Sequence, residues 1–193
     1  MVEISTAKKI RPTDCGLWDF TNVMVLDGET TFTLDDRKQS NPEPHIPTNK
    51  LVSIGWCMND TPVEYYFVHH NKCPSNLDRA HLQAQLDRTT LLVGQNIKFD
   101  LKWLRECGFV YEGELWDTML FEYVLARGQR GIELNLNAIA ARYGLGRKLD
   151  QVAALWDEGW MTDDIDPAIL QEYGVQDIEL TRSIFRKQIV MEI

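Results

Sequence analysis

The run Asn22-Val23-Met24-Val25-Leu26-Asp27 constrains the fold more than any other stretch of this chain. It is almost wholly apolar, β-prone and free of polar alternation, which suits a strand buried on both faces in the centre of a sheet. Such a strand needs neighbours on either side and helices above and below.

The remaining sequence supplies them. Leu51 to Met58 and Val63 to Val68 are two further strand candidates, separated by the turn residues Asn59-Asp60-Thr61-Pro62, and with the first run they predict an antiparallel meander. Before them, Asp35 to Lys50 is polar, holds Pro42, Pro44 and Pro47, and reads as a long loop of the kind that carries function or moves. Ser75 or Asn76 is expected to cap a helix with apolar positions Leu77, Ala80, Leu82, Ala84 and Leu86. Leu91-Leu92-Val93 is a short buried strand, and Ile97 to Cys107 a helix stopped by Gly108. Asp117 caps a helix carrying Met119, Leu120, Tyr123 and Leu125, and another runs from Leu136 to Tyr143 and ends at Gly144. The last begins near Pro167, a favoured first-turn residue, and continues through Leu170, Tyr173, Ile178, Leu180 and Ile184. Three strands, then alternating strand and helix, then helices, predict a mixed sheet covered by helices, in the α/β class. The polar stretch up to Cys15 reads as a loose arm or a short edge strand.

A length of 193 residues suits one domain, and 44% hydrophobic residues are enough to bury a real core. No apolar run reaches the length of a membrane span and Met1 to Lys9 lacks a signal segment, so a cytoplasmic protein that does not meet a membrane is expected. Cys15, Cys57, Cys73 and Cys107 form no Cys-x-x-Cys pair and read as reduced thiols. His69, His70, Cys73 and His81 lie close together, but their spacing matches no common zinc pattern. The net charge of −9 argues against tight binding along a nucleic-acid duplex, which needs a basic surface.

Three short segments point to chemistry. In Asp27-Gly28-Glu29, at the end of the first buried run, residues two apart face the same way, so both carboxylates enter one space. Glycine between them lets another group approach the backbone. Gly94-Gln95-Asn96-Ile97-Lys98-Phe99-Asp100 spans a strand-to-helix junction, with Asn96 as a cap and Asp100 one turn further on the same side. In Tyr173-Gly174-Val175-Gln176-Asp177 the spacing of four puts a phenol and a carboxylate on one helix face. Taken singly, each has a plain reading: a solvated strand end, a cap with dipole compensation, a core aromatic.

Together and in this order, Asp27-x-Glu29, Asn96-x-x-Phe99-Asp100 and Tyr173-x-x-x-Asp177 resemble the three motifs of the DEDD exonuclease superfamily. The tyrosine of the third motif resembles the subclass that includes the proofreading domains of family A DNA polymerases. Trp116-Asp117-Thr118-Met119-Leu120, Leu136-Asn137-Ala138-Ile139-Ala140 and the tail from Glu172 to Ser183 add to the likeness, which spans about residues 20 to 187 of a single exonuclease domain. No polymerase region accompanies it. The resemblance implies a ribonuclease H-like fold, a mixed five-stranded sheet of three antiparallel strands followed by parallel ones. It also implies two Mg2+ or Mn2+ ions and hydrolysis from the 3′ end of single-stranded DNA that releases 5′-mononucleotides.

By the same resemblance Asp27 bridges the two metals, Glu29 and Asp177 complete the first site, and Asp100 holds the second. Four carboxylates on two divalent cations would offset about four of the negative charges. Tyr173 is expected to orient the attacking water; a phenol with a pKa of about 10 is a poor base at neutral pH. Thr30, Thr31 and Phe32 follow the first motif and are expected at the terminal nucleotide, although Phe32 serves equally well as a core or surface aromatic. Asn96 supports the Asp100 turn or a phosphate, while Arg147 and Lys148 read as a solvated loop more readily than as phosphate contacts. A bacterial or phage-type monomer is expected, acting on single-stranded 3′ ends, with a DNA polymerase or replication protein as partner in trans. An exoribonuclease of the same superfamily and an inactive nucleic-acid-binding module are the competing readings.

Overall fold

A computed structural model describes residues 19–34, 39–127, 129, 131–146 and 151–191. The polar arm up to Cys15, the charged pair Arg147 and Lys148, and residues 35–38 of the long loop lie outside them. In chain order the elements are β1 (Val23–Thr30), β2 (Thr33–Leu34), β3 (Ser40–Asn41), β4 (Leu51–Met58), β5 (Glu64–Phe67), α1 (Arg79–Arg88), β6 (Leu91–Gly94), α2 (Ile97–Glu106), β7 (Glu114–Asp117), α3 (Thr118–Leu125), α4 (Leu136–Arg142), α5 (Gln151–Asp157) and α6 (Pro167–Gln188).

The main sheet has five strands in the order β5-β4-β1-β6-β7. β1, β4 and β5 form the antiparallel meander, and β6 and β7 add in parallel beyond β1. The apolar run is the central strand, and it continues three residues past Asp27, so Asp27 and Glu29 lie inside β1 rather than at its end. This is the ribonuclease H-like α/β arrangement that the motifs imply. Among the described residues no helix is long and apolar enough to cross a membrane.

Side-chain alternation along β1 divides the core into two layers. Met24 and Leu26 pack with Trp56, Leu82, Leu86, Trp103 and Leu104 on the α1–α2 face. Val23 and Val25 pack with Leu91, Val93, Ile178 and Phe185 on the α6 face. Asp27 and Glu29 continue the second parity and so face α6.

Several local expectations need correction. Asp78, not Ser75 or Asn76, caps α1, its side chain accepting the His81 N–H at 3.0 Å. Ser75 and Asn76 instead bind the end of β5, where Asn76 Oδ1 accepts the Phe67 N–H at 2.7 Å. β7 and α5 were not located in the sequence: each is short, and Trp116 and Val152 are their only fully buried residues, too few to set a period. The long loop carries β3, which pairs with β2 just ahead of the loop, and is fastened to α2 by Lys102–Glu43 at 2.7 Å and by Trp103 Nε1 donating to Pro42 O at 3.1 Å. Of the zinc candidates, His70 Nε2 meets Ile165 O at 3.0 Å and His81 Nε2 meets Glu64 at 2.9 Å, so both rings have protein partners.

The seat of α6 depends on missing side chains. A Cβ on Gly55 would stand 2.6 Å from Ile178 Cδ1 and 2.7 Å from Tyr65 Cδ2. A Cβ on Gly174 would stand 2.4 Å from Tyr65 Cε2. These two glycines let α6 and the Tyr65 ring lie directly on the sheet. Gly55→Ala is therefore expected to cost about 1–3 kcal/mol through overpacking. In a thermal melt each kcal/mol reads as a drop of about 2–4 °C for a domain of this size.

Candidate active site

Asp27, Gly55 and Tyr65 lie in register across three strands, and so do Glu29, Ser53 and Phe67. Directly opposed residues share a face, so both carboxylates sit in the floor beneath α6. From above, α6 lowers Asp177 onto them. Oxygens of Asp27, Glu29 and Asp177 all lie within 4.8 Å of one another, with Glu29 and Asp177 each 8% exposed. Like charges this close and this dry are costly without a counter-charge. Three hard oxygen donors converging from two elements have the chemistry to hold a divalent cation such as Mg2+ or Mn2+.

Asp100 enters from α2. It is 5% exposed, and its Oδ1 accepts the Gly28 N–H at 3.1 Å, between the two β1 carboxylates. A Cβ on Gly28 would press on Leu51 Cδ1 at 3.2 Å and would stand in ordinary contact with Asp100 Oδ1 at 3.5 Å. Burial, and then the neighbouring Asp27 carboxylate, push Asp100 well above the usual carboxylate range, against the Gly28 N–H that favours its charged form. Asp100 thus stands beside the group of three, bonded to the strand that carries two of them.

Tyr173 lies one turn before Asp177 on the same helix, half-buried and edge-on to Trp156, ring centroids 5.8 Å apart. Beside Glu29 opens a groove of about 430 Å³ whose lining includes Gly28, Glu29, Thr30, Phe32, Phe99 and Trp156. Thr30 and Phe32 are on it, but Thr31 is not. Thr31 is 3% exposed, with its Oγ1 accepting the Lys50 N–H at 2.7 Å and its own N–H donated to Lys50 O at 2.9 Å. Alternation along an extended chain turns the middle residue away from the side its neighbours share. Asn96 also departs from expectation. It is exposed and left-handed (φ 58°, ψ 44°), with no side-chain bond to α2, so it begins the helix as a turn residue rather than a side-chain cap. Asparagine tolerates that conformation better than most residues.

A 3′–5′ exonuclease family model matches residues 44–189. The chain belongs to the 3′–5′ exonuclease family. The match begins after β1, yet the fold brings Asp27 and Glu29 from outside it onto Asp177 within it. Solved structures with the same fold include a nuclease in its apo form, 15% identical, covering 93% of this chain and 76% of that one at a TM-score of 0.59. Brucella melitensis NrnC with bound Mg2+ is 15% identical, with 86% of this chain and 71% of that one covered at 0.56. The family B DNA polymerase of the hyperthermophilic archaeon Pyrobaculum calidifontis is 16% identical, with 86% of this chain and 24% of that one covered at 0.56. No curated relative matches the sequence.

The carboxylate cluster is bordered by residues that no motif announced. The Tyr65 phenol, 2.6 Å from Ser53 Oγ, bonds to Leu170 O at 3.3 Å and so ties β5 to the start of α6. Burial, and then the Glu29 carboxylate, raise it well above the ordinary phenol range, which keeps it neutral next to the acids. Tyr65 belongs to a strand pattern in sequence, and only register places it at the acidic floor.

Proposed function

We propose that this exonuclease removes nucleotides one at a time from the 3′ end of single-stranded DNA, with two Mg2+ or Mn2+ ions, releasing 5′-mononucleotides. The observation that carries this reading is the meeting of Asp27, Glu29 and Asp177 within 4.8 Å, with Asp100 bonded to the backbone between the first two. Asp27 would be shared by the two cations, Glu29 and Asp177 would complete one site, and Asp100 would contribute to the other. The Mg2+ bound in the Brucella melitensis structure is consistent with such a donor set. When bound, the two cations supply an activated water and offset charge on the attacking and leaving oxygens.

The protein's own groups do the positioning. Tyr173 orients the attacking water by a hydrogen bond from its hydroxyl. Phe32, Phe99 and Trp156 give the groove beside Glu29 flat faces for unstacked bases, and Thr30 a hydroxyl for the terminal sugar or phosphate. A chain of net charge −9 holds a strand end locally, with binding that weakens as salt rises.

The deciding assay incubates 5′-labelled single-stranded DNA and RNA with the protein in Mg2+ and in EDTA. A one-nucleotide ladder on DNA that disappears in EDTA is expected. A ladder on RNA alone would reassign the substrate, and binding of either strand without cleavage would refute the nuclease reading.

A further inference from the structure

Asp117 caps α3 in the ordinary way, its Oδ1 accepting the N–H groups of Met119 at 3.0 Å and Leu120 at 3.2 Å. The same oxygen accepts a third N–H, from Asn96 at 3.0 Å, 21 residues earlier in the chain. Asn96 is the left-handed residue that starts α2 without a side-chain cap of its own. The turn into α2 is therefore held from outside, by the first residue of another helix's cap.

Thr118 completes the hold. It is fully buried, and its Oγ1 reaches Gly94 O at 3.2 Å and Gln95 Oε1, while Gln95 Nε2 donates to Leu134 O at 2.8 Å. Gly94, Gln95 and Asn96 are each bonded to Asp117 or Thr118, and the parallel register of β6 with β7 sets Gly94 directly opposite Asp117. One turn into α2 from this clamp comes Asp100, whose carboxylate meets Gly28 N.

We infer that Asp117 is a positioning residue for Asp100: its bond to Asn96 sets the start of α2, and with it the place of the Asp100 carboxylate against β1. The inference rests on the proposed reading of the carboxylate site. Asp117 itself stands outside the group formed by Asp27, Glu29 and Asp177. It acts through the backbone.

Three variants of the full chain separate this role from plain capping. Asp117→Asn keeps an acceptor oxygen in place, Asp117→Ser keeps a helix cap but with a shorter reach, and Asp117→Ala keeps neither. The measurements are melting temperature, the Gly28 amide resonance, Mn2+ affinity by calorimetry, and kcat and KM on single-stranded DNA. Asp117→Asn is expected to stay near wild type in all of them. Asp117→Ser is expected to melt near wild type while its Gly28 resonance moves, its Mn2+ affinity falls about 10-fold, and its kcat falls about as much with KM unchanged. Wild-type Gly28 resonance and Mn2+ affinity in both Asp117→Ser and Asp117→Ala, with only the melt lowered, would reduce Asp117 to a cap and overturn the inference. A shifted Gly28 resonance in Asp117→Ser, alongside a wild type that neither binds Mn2+ nor cleaves DNA, would uphold the tether and reject the reading of the site.

Discussion

Replacing Asp27 by asparagine is expected to slow 3′-end hydrolysis by about 10²–10³-fold, or roughly 3–4 kcal/mol of transition-state stabilisation. The change preserves shape and removes one negative charge from the centre of the group. Asp27 shares the group with Glu29 and Asp177, and of the neighbouring carboxylates it acts most strongly on Asp100, ahead of Glu29. If it is the shared ligand, its loss weakens both cation positions together. Single-turnover cleavage of labelled DNA at saturating Mg2+ separates this from weaker substrate binding, and a rate within a few-fold of wild type would remove Asp27 from the centre of the mechanism.

Asp100→Asn is expected to move activity and stability in opposite directions. Its carboxyl is raised well above the usual range by burial and by Asp27, so in metal-free protein the ionised form costs folding energy at neutral pH. Asparagine can still accept the Gly28 N–H while carrying no charge. In EDTA at pH 7–8 the variant should therefore melt above the wild type, by about 2–4 °C for each kcal/mol of relieved strain. The sign with pH follows from the direction of the shift. A raised carboxyl destabilises the fold above its unfolded pKa, and the penalty fades as pH drops through the folded value. The gap between the two proteins should close as pH approaches about 4, the ordinary aspartate pKa. With Mn2+ added the order should reverse, because a ligand that binds only the folded wild type stabilises it alone. DNA cleavage by the variant should fall by about 10²-fold or more. A variant that melts below wild type in EDTA across the whole range would contradict the account of Asp100 as an acid kept under strain for function.

Local rules of chain geometry were enough to read much of this protein from its residues. A period of two put Asp27 and Glu29 on one face of a central strand, and a spacing of four put Tyr173 and Asp177 on one face of a helix. Glycine between the β1 carboxylates foretold a close approach, and Asp100 makes it. Resemblance to known motifs joined these pieces into one site, because nothing within a few residues of Asp27 encodes contact with Asp177.

What only the tertiary structure decided has a common cause: contacts between residues far apart in sequence depend on how layers pack. Gly55 and Gly174 look like incidental small residues until α6 and Tyr65 are seen to need their space. Tyr65 and Ser53 reach the acidic floor through strand register, and Thr31 is lost to the groove through its pairing with Lys50. Asn96 carries the composition of a cap, but the left-handed turn and the Asp117 oxygen that holds it come from β6 lying beside β7. Periodicity and capping act within a turn or two of chain and are written in the sequence. The meeting of side chains across the sheet is settled by close packing, where a single missing Cβ decides how near two elements come.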